Sequence, residues 1–276
     1  MCYFQKNNVM ENEIEKTEQQ SVMVVSNVET LEALNRSEID MQISTAKKYP
    51  RNITNVLSTI ETLATLDKDV AASCFYSLPR DGKTISGPSV RMAEIVASAW
   101  GNLRVQARII SNDGKIITAQ GVCHDLEKNV ATSVEVKRKI TNKYGKTFSE
   151  DMQVVTGNAA CAIAMRNALF KVVPAAYIKK VLDKAKSLSV GDGKEFEQVR
   201  IDTINWFANK GVTPKKLFEF LSVKSEKDIT AEMVADLRGV ATAVSEGTST
   251  IDEIFASRYD EEKAKEVKEK FKDFND

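Results

Sequence analysis

The sequence predicts an α+β fold: an antiparallel three-stranded sheet with a hairpin and packed helices, a β-β-β-α core, plus a small all-helical C-terminal domain. Three observations predict it. Residues 103–140 alternate apolar and polar side chains, with hairpin-turn chemistry between the runs. Residues 151–173 read as one long helix built largely from small residues. Beyond residue 194 the apolar spacing is helical throughout.

Residues 1–28 are polar and acidic without a sustained period and are expected to be disordered. Leu31, Leu34, Ile39 and Ile43 then fall at helical spacing over residues 29–48. Tyr49-Pro50-Arg51 ends that helix, because the residue before a proline avoids the α region. A second helix is expected over 53–66, with Val56, Ile60, Leu63 and Ala64 as its apolar stripe. Residues 73–78 read as a strand, Pro79-Arg80-Asp81-Gly82 as a turn, and 83–86 as the returning strand. Gly87-Pro88-Ser89 opens a helix that runs through Trp100 and stops at Gly101.

The first sheet strand, 103–110, places Arg104, Gln106 and Arg108 on one face and Leu103, Val105, Ala107 and Ile109 on the other. Asn112-Asp113-Gly114 is a hairpin turn. Strands 116–124 and 130–140 follow, the latter with Ser133, Glu135, Lys137 and Lys139 sharing a face. Residues 142–146 form a basic hairpin tip containing Lys143, Tyr144 and Lys146. Gly157, Ala159, Ala160, Ala162, Ala164 and Ala168 let the next helix lie close on the sheet. The glycines at 191 and 193 suggest a linker over 187–193. The expected domains are thus a basic core at 29–186 and a helical C-terminal domain at 194–276, ending in a charged helix over 259–276.

Zero net charge hides a strong segregation. Residues 1–46 hold 3 basic and 8 acidic groups, 47–186 hold 22 and 12, and 187–276 hold 14 and 19, giving −5, +10 and −5. A basic centre between acidic ends is the footprint of a polyanion site. The four cysteines form no CxxC pair and fit no zinc spacing, which suits a reduced, cytoplasmic chain without a metal. No secretory signal and no membrane span are expected, since the apolar runs are short.

Gly82-Lys83-Thr84 and Gly145-Lys146-Thr147 carry the end of a P-loop, but its first glycine would fall at Ser77 and Ile140. No nucleotide cofactor is therefore expected. The single His124 and the scattered serines offer no nucleophile–base pair. The best enzyme hint is Glu135-Val136-Lys137, an acid–lysine pair of the kind that metal-dependent nucleases use with a second carboxylate, here Asp125. The plainer reading of Glu135 and Lys137 is an ion pair on one strand face.

The basic residues fall where a phosphate track would want them. Arg104, Arg108, Lys137 and Lys139 share the polar register of the sheet. Arg80, Lys83 and Arg91 gather near the Gly-Pro-Ser turn, Lys143 and Lys146 sit on the hairpin tip, and Lys47, Lys48 and Arg51 flank the Tyr49-Pro50 break. Tyr144, Tyr49 and Trp100 could stack on bases, although Trp100 suits a core better. Arg166 interrupts an Ala-rich helix. It either pairs with Glu94 or Asp151 or lines a groove between helix and sheet.

Two stretches carry a resemblance. Residues 49–174 contain Leu78-Pro79-Arg80, Gly82-Lys83-Thr84-Ile85-Ser86-Gly87-Pro88-Ser89, Trp100-Gly101-Asn102-Leu103-Arg104-Val105 and Val155-Thr156-Gly157-Asn158-Ala159-Ala160. This region resembles proteins of gut bacteriophages. Its order of strands and helix is similar to the core of the phage single-strand annealing recombinases, the Redβ, RecT and Erf group. Gly211-Val212-Thr213 through Val223, Asp228-Ile229-Thr230, Leu237-Arg238 and residues 247–255 resemble the small helical tail of phage DNA-metabolism proteins. Together the two stretches cover most of the chain beyond residue 45. The resemblance implies ATP-independent annealing of complementary single-stranded DNA by a homo-oligomeric ring or filament, in the host bacterial cytoplasm. It also implies that the C-terminal region contacts a single-strand binding protein or an exonuclease. A plain single-stranded DNA-binding protein is the simpler alternative.

Overall fold

The computed structural model describes residues 29–80, 83–142 and 144–255. The segments 1–28 and 259–276, expected to be disordered and helical respectively, lie outside the described residues, as does Lys143. The chain divides into two units, 1–50 and 51–276. In the first, α1 spans residues 29–48, and Lys48 Nζ lies 5.4 Å from the Tyr49 ring centre.

The second unit opens with α2 (Ile53–Ala64) and α3 (Lys68–Ser73), started by Asn52 and Asp67, whose side chains accept from the first backbone N–H groups. The hairpin β1 (Phe75–Arg80) and β2 (Lys83–Pro88) follows. Ser89 caps α4 (Val90–Trp100), accepting from Met92 N at 3.1 Å. The main sheet is β3 (Leu103–Asn112), β4 (Ile116–Asp125) and β5 (Val130–Lys139), antiparallel in that order. The helix α5 (Glu150–Val172) lies across one face of it. The core is α+β, as the alternating and helical periods require.

The small face of α5 permits its close approach. A methyl group built on Gly121 of β4 would sit 2.2 Å from the Ala164 backbone. Gly121 and Ala164 thus meet at backbone distance, which no side chain on β4 would allow.

After α5 the structure departs from the expected linker and separate domain. Pro174 does not end the helical region; it starts α6 (Ala175–Val190), with Val173 extended as a residue before proline must be. Residues 187–190 belong to α6, and α7 (Gly193–Asn209) begins two residues after it ends. Only Gly191 and Asp192 lie between. The helices α8 (Pro214–Leu221) and α9 (Ala231–Ser245) complete the C-terminal region.

That region is not detached. Leu78 of β1 and Val190 of α6 share an apolar cluster with Val199, Phe207, Leu217, Leu237 and Phe255. A methyl group on Gly239 of α9 would lie 2.5 Å from Ser77 Oγ, so α9 rests directly on β1. Residues 194–255 bury their apolar surface against β1 and α6, which makes them a continuation of the same body. Among the described residues, no helix is long and apolar enough to cross a membrane.

Candidate nucleic-acid interface

Strand register decides which charges meet. Val105, Ala107 and Ile109 of β3 pair with Cys123, Gly121 and Ala119 of β4, and these pair with Thr132, Val134 and Val136 of β5. This set faces α5. The opposite set consists of Arg104–His124–Ala131, Gln106–Val122–Ser133 and Arg108–Gln120–Glu135, each a row across three strands. The register slips at Ile110, so Ser111 stands opposite Thr118 and continues the same face with Lys137. Ile116 and Lys139 form the final row. Arg104, Arg108, Lys137 and Lys139 therefore share the face that α5 does not cover, as the alternation predicts.

The four cations run obliquely, from β3 at one end to β5 at the other. Arg104 and Arg108 are ~13 Å apart along β3, and Lys137 and Lys139 ~7 Å apart along β5, at about 3.3 Å per residue. Glu135 is the one carboxylate on these rows. Neutral polar groups hold the guanidinium groups in place. Arg108 donates to Gln120 Oε1 from Nε (3.3 Å) and Nη2 (3.2 Å). With its amide oriented by its hydrogen-bonding network, Gln106 accepts from Arg104 at 3.0 and 3.2 Å. A depression of about 460 Å³ opens over Gln106, Arg108, Gln120 and Val122. Gln120 and Thr118 join Gln106 on this face, where the period of two places them although neither carries a charge that marks it in the sequence.

The hairpin tip joins the Lys137/Lys139 end. Thr147 Oγ1 donates to Gly114 O (2.8 Å) and Ile140 N to Lys115 O (2.8 Å), which ties the tip to the β3–β4 turn. Asn142 Oδ1 accepts from Tyr144 N and Lys146 N, shaping a turn that leaves Tyr144 82% exposed. Tyr144 and Lys146 thus extend the basic end of the sheet, with Lys115 beside them.

No family model, curated protein or solved structure matches the chain.

Other expected site residues lie elsewhere. Arg51 is a structural cation. Its side chain is 8% exposed, donates to both oxygens of Asp125 (2.6 and 2.8 Å), and lies 5.2 Å from the Trp100 ring centre. Glu127 accepts from Arg51 backbone N at 2.9 Å and from Asn102 Nδ2 at 2.6 Å, and its carboxylate stands 3.0 Å from Arg51 Nε. Burial pushes the Asp125 carboxyl up, but Arg51 and the backbone N–H groups of Lys128 and Glu127 outweigh it, leaving the carboxyl below the ordinary range. Trp100 is core, at 1% exposure.

Arg166 is likewise buried, and its carboxylate is neither Glu94 nor Asp151. Its guanidinium lies 4.6 Å from the Tyr76 ring centre, donates to Asn167 Oδ1, and stands 3.8 Å from Glu246. Glu246 also accepts from Val90 N (2.7 Å) and Arg91 N (3.4 Å) at the start of α4. Burial holds the Glu246 carboxyl above its ordinary range. Nothing local in Ser245-Glu246-Gly247 announces this role, so sequence reasoning had no means to find it. Arg138 was readable: alternation sends it to the α5 face, where it donates to the carbonyls of Gly247 and Thr248.

Arg91 does not gather with Arg80 and Lys83. The register pairs Arg80 with Lys83 at the hairpin tip and Phe75 with Pro88 at its base, ~16 Å away at 3.3 Å per residue. Arg91 lies past the base and pairs with Glu94 at 2.5 Å. Lys47 and Lys48 belong to α1 in the first unit. Nor does the sheet bring the carboxylates of Glu135 and Asp125 together. Asp125 faces α5 at 1% exposure, whereas Glu135 is on the open face five residues along β5 from Asp125's partner Val130. Among the described residues, no three His, Cys, Asp or Glu side chains converge as metal ligands.

Proposed function

We propose that this protein binds single-stranded DNA along the open face of its sheet and anneals complementary strands without ATP. The observation that carries the reading is the strand register, which collects Arg104, Arg108, Lys137 and Lys139 on the face that α5 does not cover, with one carboxylate among them. Long, flexible cations on a flat polar face suit phosphates, and each contact releases condensed counterions. The face carries no Phe, Tyr or Trp, so bases held there would stay free to pair; Tyr144 at the tip offers an exposed stacking surface. Neither GK[ST] site has the first glycine of a phosphate cradle, so pairing itself must drive the reaction.

One sheet spans only a few nucleotides, and a stable duplex nucleus needs more. Side-by-side copies in a ring or filament would supply the length. A phage recombination setting in the host cytoplasm, with a single-strand binding protein or an exonuclease as partner, accords with the resemblance.

The test is annealing of two labelled complementary oligonucleotides without nucleotide, at rising salt. Accelerated annealing that weakens with salt is the expected result. Binding without acceleration would leave a plain single-stranded DNA-binding protein. Strand cleavage on adding magnesium would replace this reading with a nuclease.

A further inference from the structure

Among the described residues, β3 and β5 each pair with β4 alone, so both outer edges of the sheet present unpaired backbone donors and acceptors along ten-residue strands. Both are antiparallel to β4 and hence parallel to each other. If β5 of one copy lies beside β3 of a second, in parallel and without stagger, every row of the sheet continues from copy to copy.

That register brings complementary side chains together on both faces. On the open face Glu135 stands beside Arg108 of the second copy, and Ser133 beside Gln106. On the α5 face Val136 stands beside Ile109, Val134 beside Ala107, and Val130 beside Leu103. These apolar positions include side chains that are unusually exposed in one copy: Ile109 at 40% and Val130 at 49%. Within a single chain Gln120 separates Arg108 from Glu135, and among the described residues no ion pair engages Glu135. Paired strands on the same register gain both backbone hydrogen bonds and cross-strand contacts.

We propose that the free edges of β5 and β3 form a heterologous interface between copies of this chain, fastened by Glu135 and Arg108. The interface joins two different edges, so it repeats and closes into a ring or runs on as a filament. It deepens the assembly step of the proposed function and makes the open faces of neighbouring copies one continuous basic track. It also gives the single carboxylate on that face a use other than catalysis.

The experiment measures the mass of the full chain in solution by light scattering, without DNA. Wild type is expected to form higher-order species. Glu135→Arg and Arg108→Glu are each expected to shift the population at least tenfold toward smaller species, and the double exchange to restore it. Circular dichroism checks that each variant is folded. A second measurement covers failure of those variants to fold: oxidation of the Gln106→Cys, Ser133→Cys variant is expected to give a ladder of crosslinked copies. Folded single reversals that assemble like wild type would overturn the interface, as would a double exchange that stays dispersed or a cysteine pair that yields no ladder. A monomer that still binds single strands overturns this inference and leaves the nucleic-acid reading standing. Restored assembly with no strand binding does the reverse.

Discussion

The two faces of the sheet are made by the same strands, yet they obey different physics. On the α5 face the residues are small or apolar, and Gly121 lets α5 close to backbone contact. There, added volume has nowhere to go. The opposite face, away from α5, keeps its guanidinium groups among glutamines. Three buried arginines elsewhere in the fold each come with a carboxylate: Arg51 with Asp125, Arg166 with Glu246, Arg200 with Glu197 and Glu226. The sheet's own arginines are held by neutral amides instead. A cation held by a neutral group keeps its charge available to an incoming anion.

The comparison breaks first at Gly121. Gly121→Leu is expected to destabilise the fold by about 4 kcal/mol, beyond the usual overpacking penalty of ~1–3 kcal/mol, because the obstacle is the Ala164 backbone rather than a movable side chain. Urea denaturation with an unchanged midpoint would show that α5 is free to move away.

Arg51→Ala comes next, at about 3–4 kcal/mol, because it leaves Asp125 buried without its cation. Its effect is also pH-dependent. The Asp125 carboxyl is held below its unfolded value, so its contribution is present above the ordinary carboxylate range and is lost as pH falls through the folded value. Wild type is therefore expected to lose stability in acid more steeply than the variant. Parallel pH curves for the two proteins would contradict the pairing.

Glu246→Gln should cost about 1–2 kcal/mol, since the amide still accepts from Val90 N but no longer offsets Arg166. The sign of its pH effect is opposite to that of Asp125. A carboxyl held above its unfolded value contributes most below that value, and the contribution fades as pH rises through the folded one. The gap between wild type and Glu246→Gln is expected to change with pH against the Arg51 trend, a comparison that thermal midpoints at several pH values can make.

Periodicity explains how much of this was legible. The alternation over β3 and β5 assigns Arg104, Arg108, Lys137 and Lys139 to one face, because a strand's period of two leaves no other choice. It equally assigns Arg138 to the buried face. What a local pattern cannot carry is partnership across distance. Arg51 meets a carboxylate 74 residues away, and Arg166 one 80 residues away. The long helix ends at Val172, with Val173 extended before Pro174, and Pro174 itself stands at the N-cap of a further helix that no expectation placed there. The glycines at 191 and 193 suggest a linker, but only Gly191 and Asp192 form the corner, Gly193 already belongs to α7, and Val190 and Val199 on either side share one apolar cluster with Leu78 and Leu237. Spacing alone gives no sign of that cluster.

The smallest expected effect on stability is the one that matters most for function. Replacing Arg104, Arg108, Lys137 and Lys139 together with alanine removes no buried contact, and surface changes of this kind are usually within about 0.5 kcal/mol each. Mutual repulsion among four cations is also relieved, which offsets the loss of the bonds to Gln120 and Gln106. The denaturation midpoint should therefore stay close to that of wild type. Binding to single strands should fall for every sequence alike, because phosphates are the same in all of them. The slope of log affinity against log salt should shrink by about 3, from four lost contacts at ~0.7 each. A folded quadruple variant with the wild-type slope would mean that the phosphates lie elsewhere, and the hairpin tip at Tyr144 and Lys146 would be the next place to remove charge.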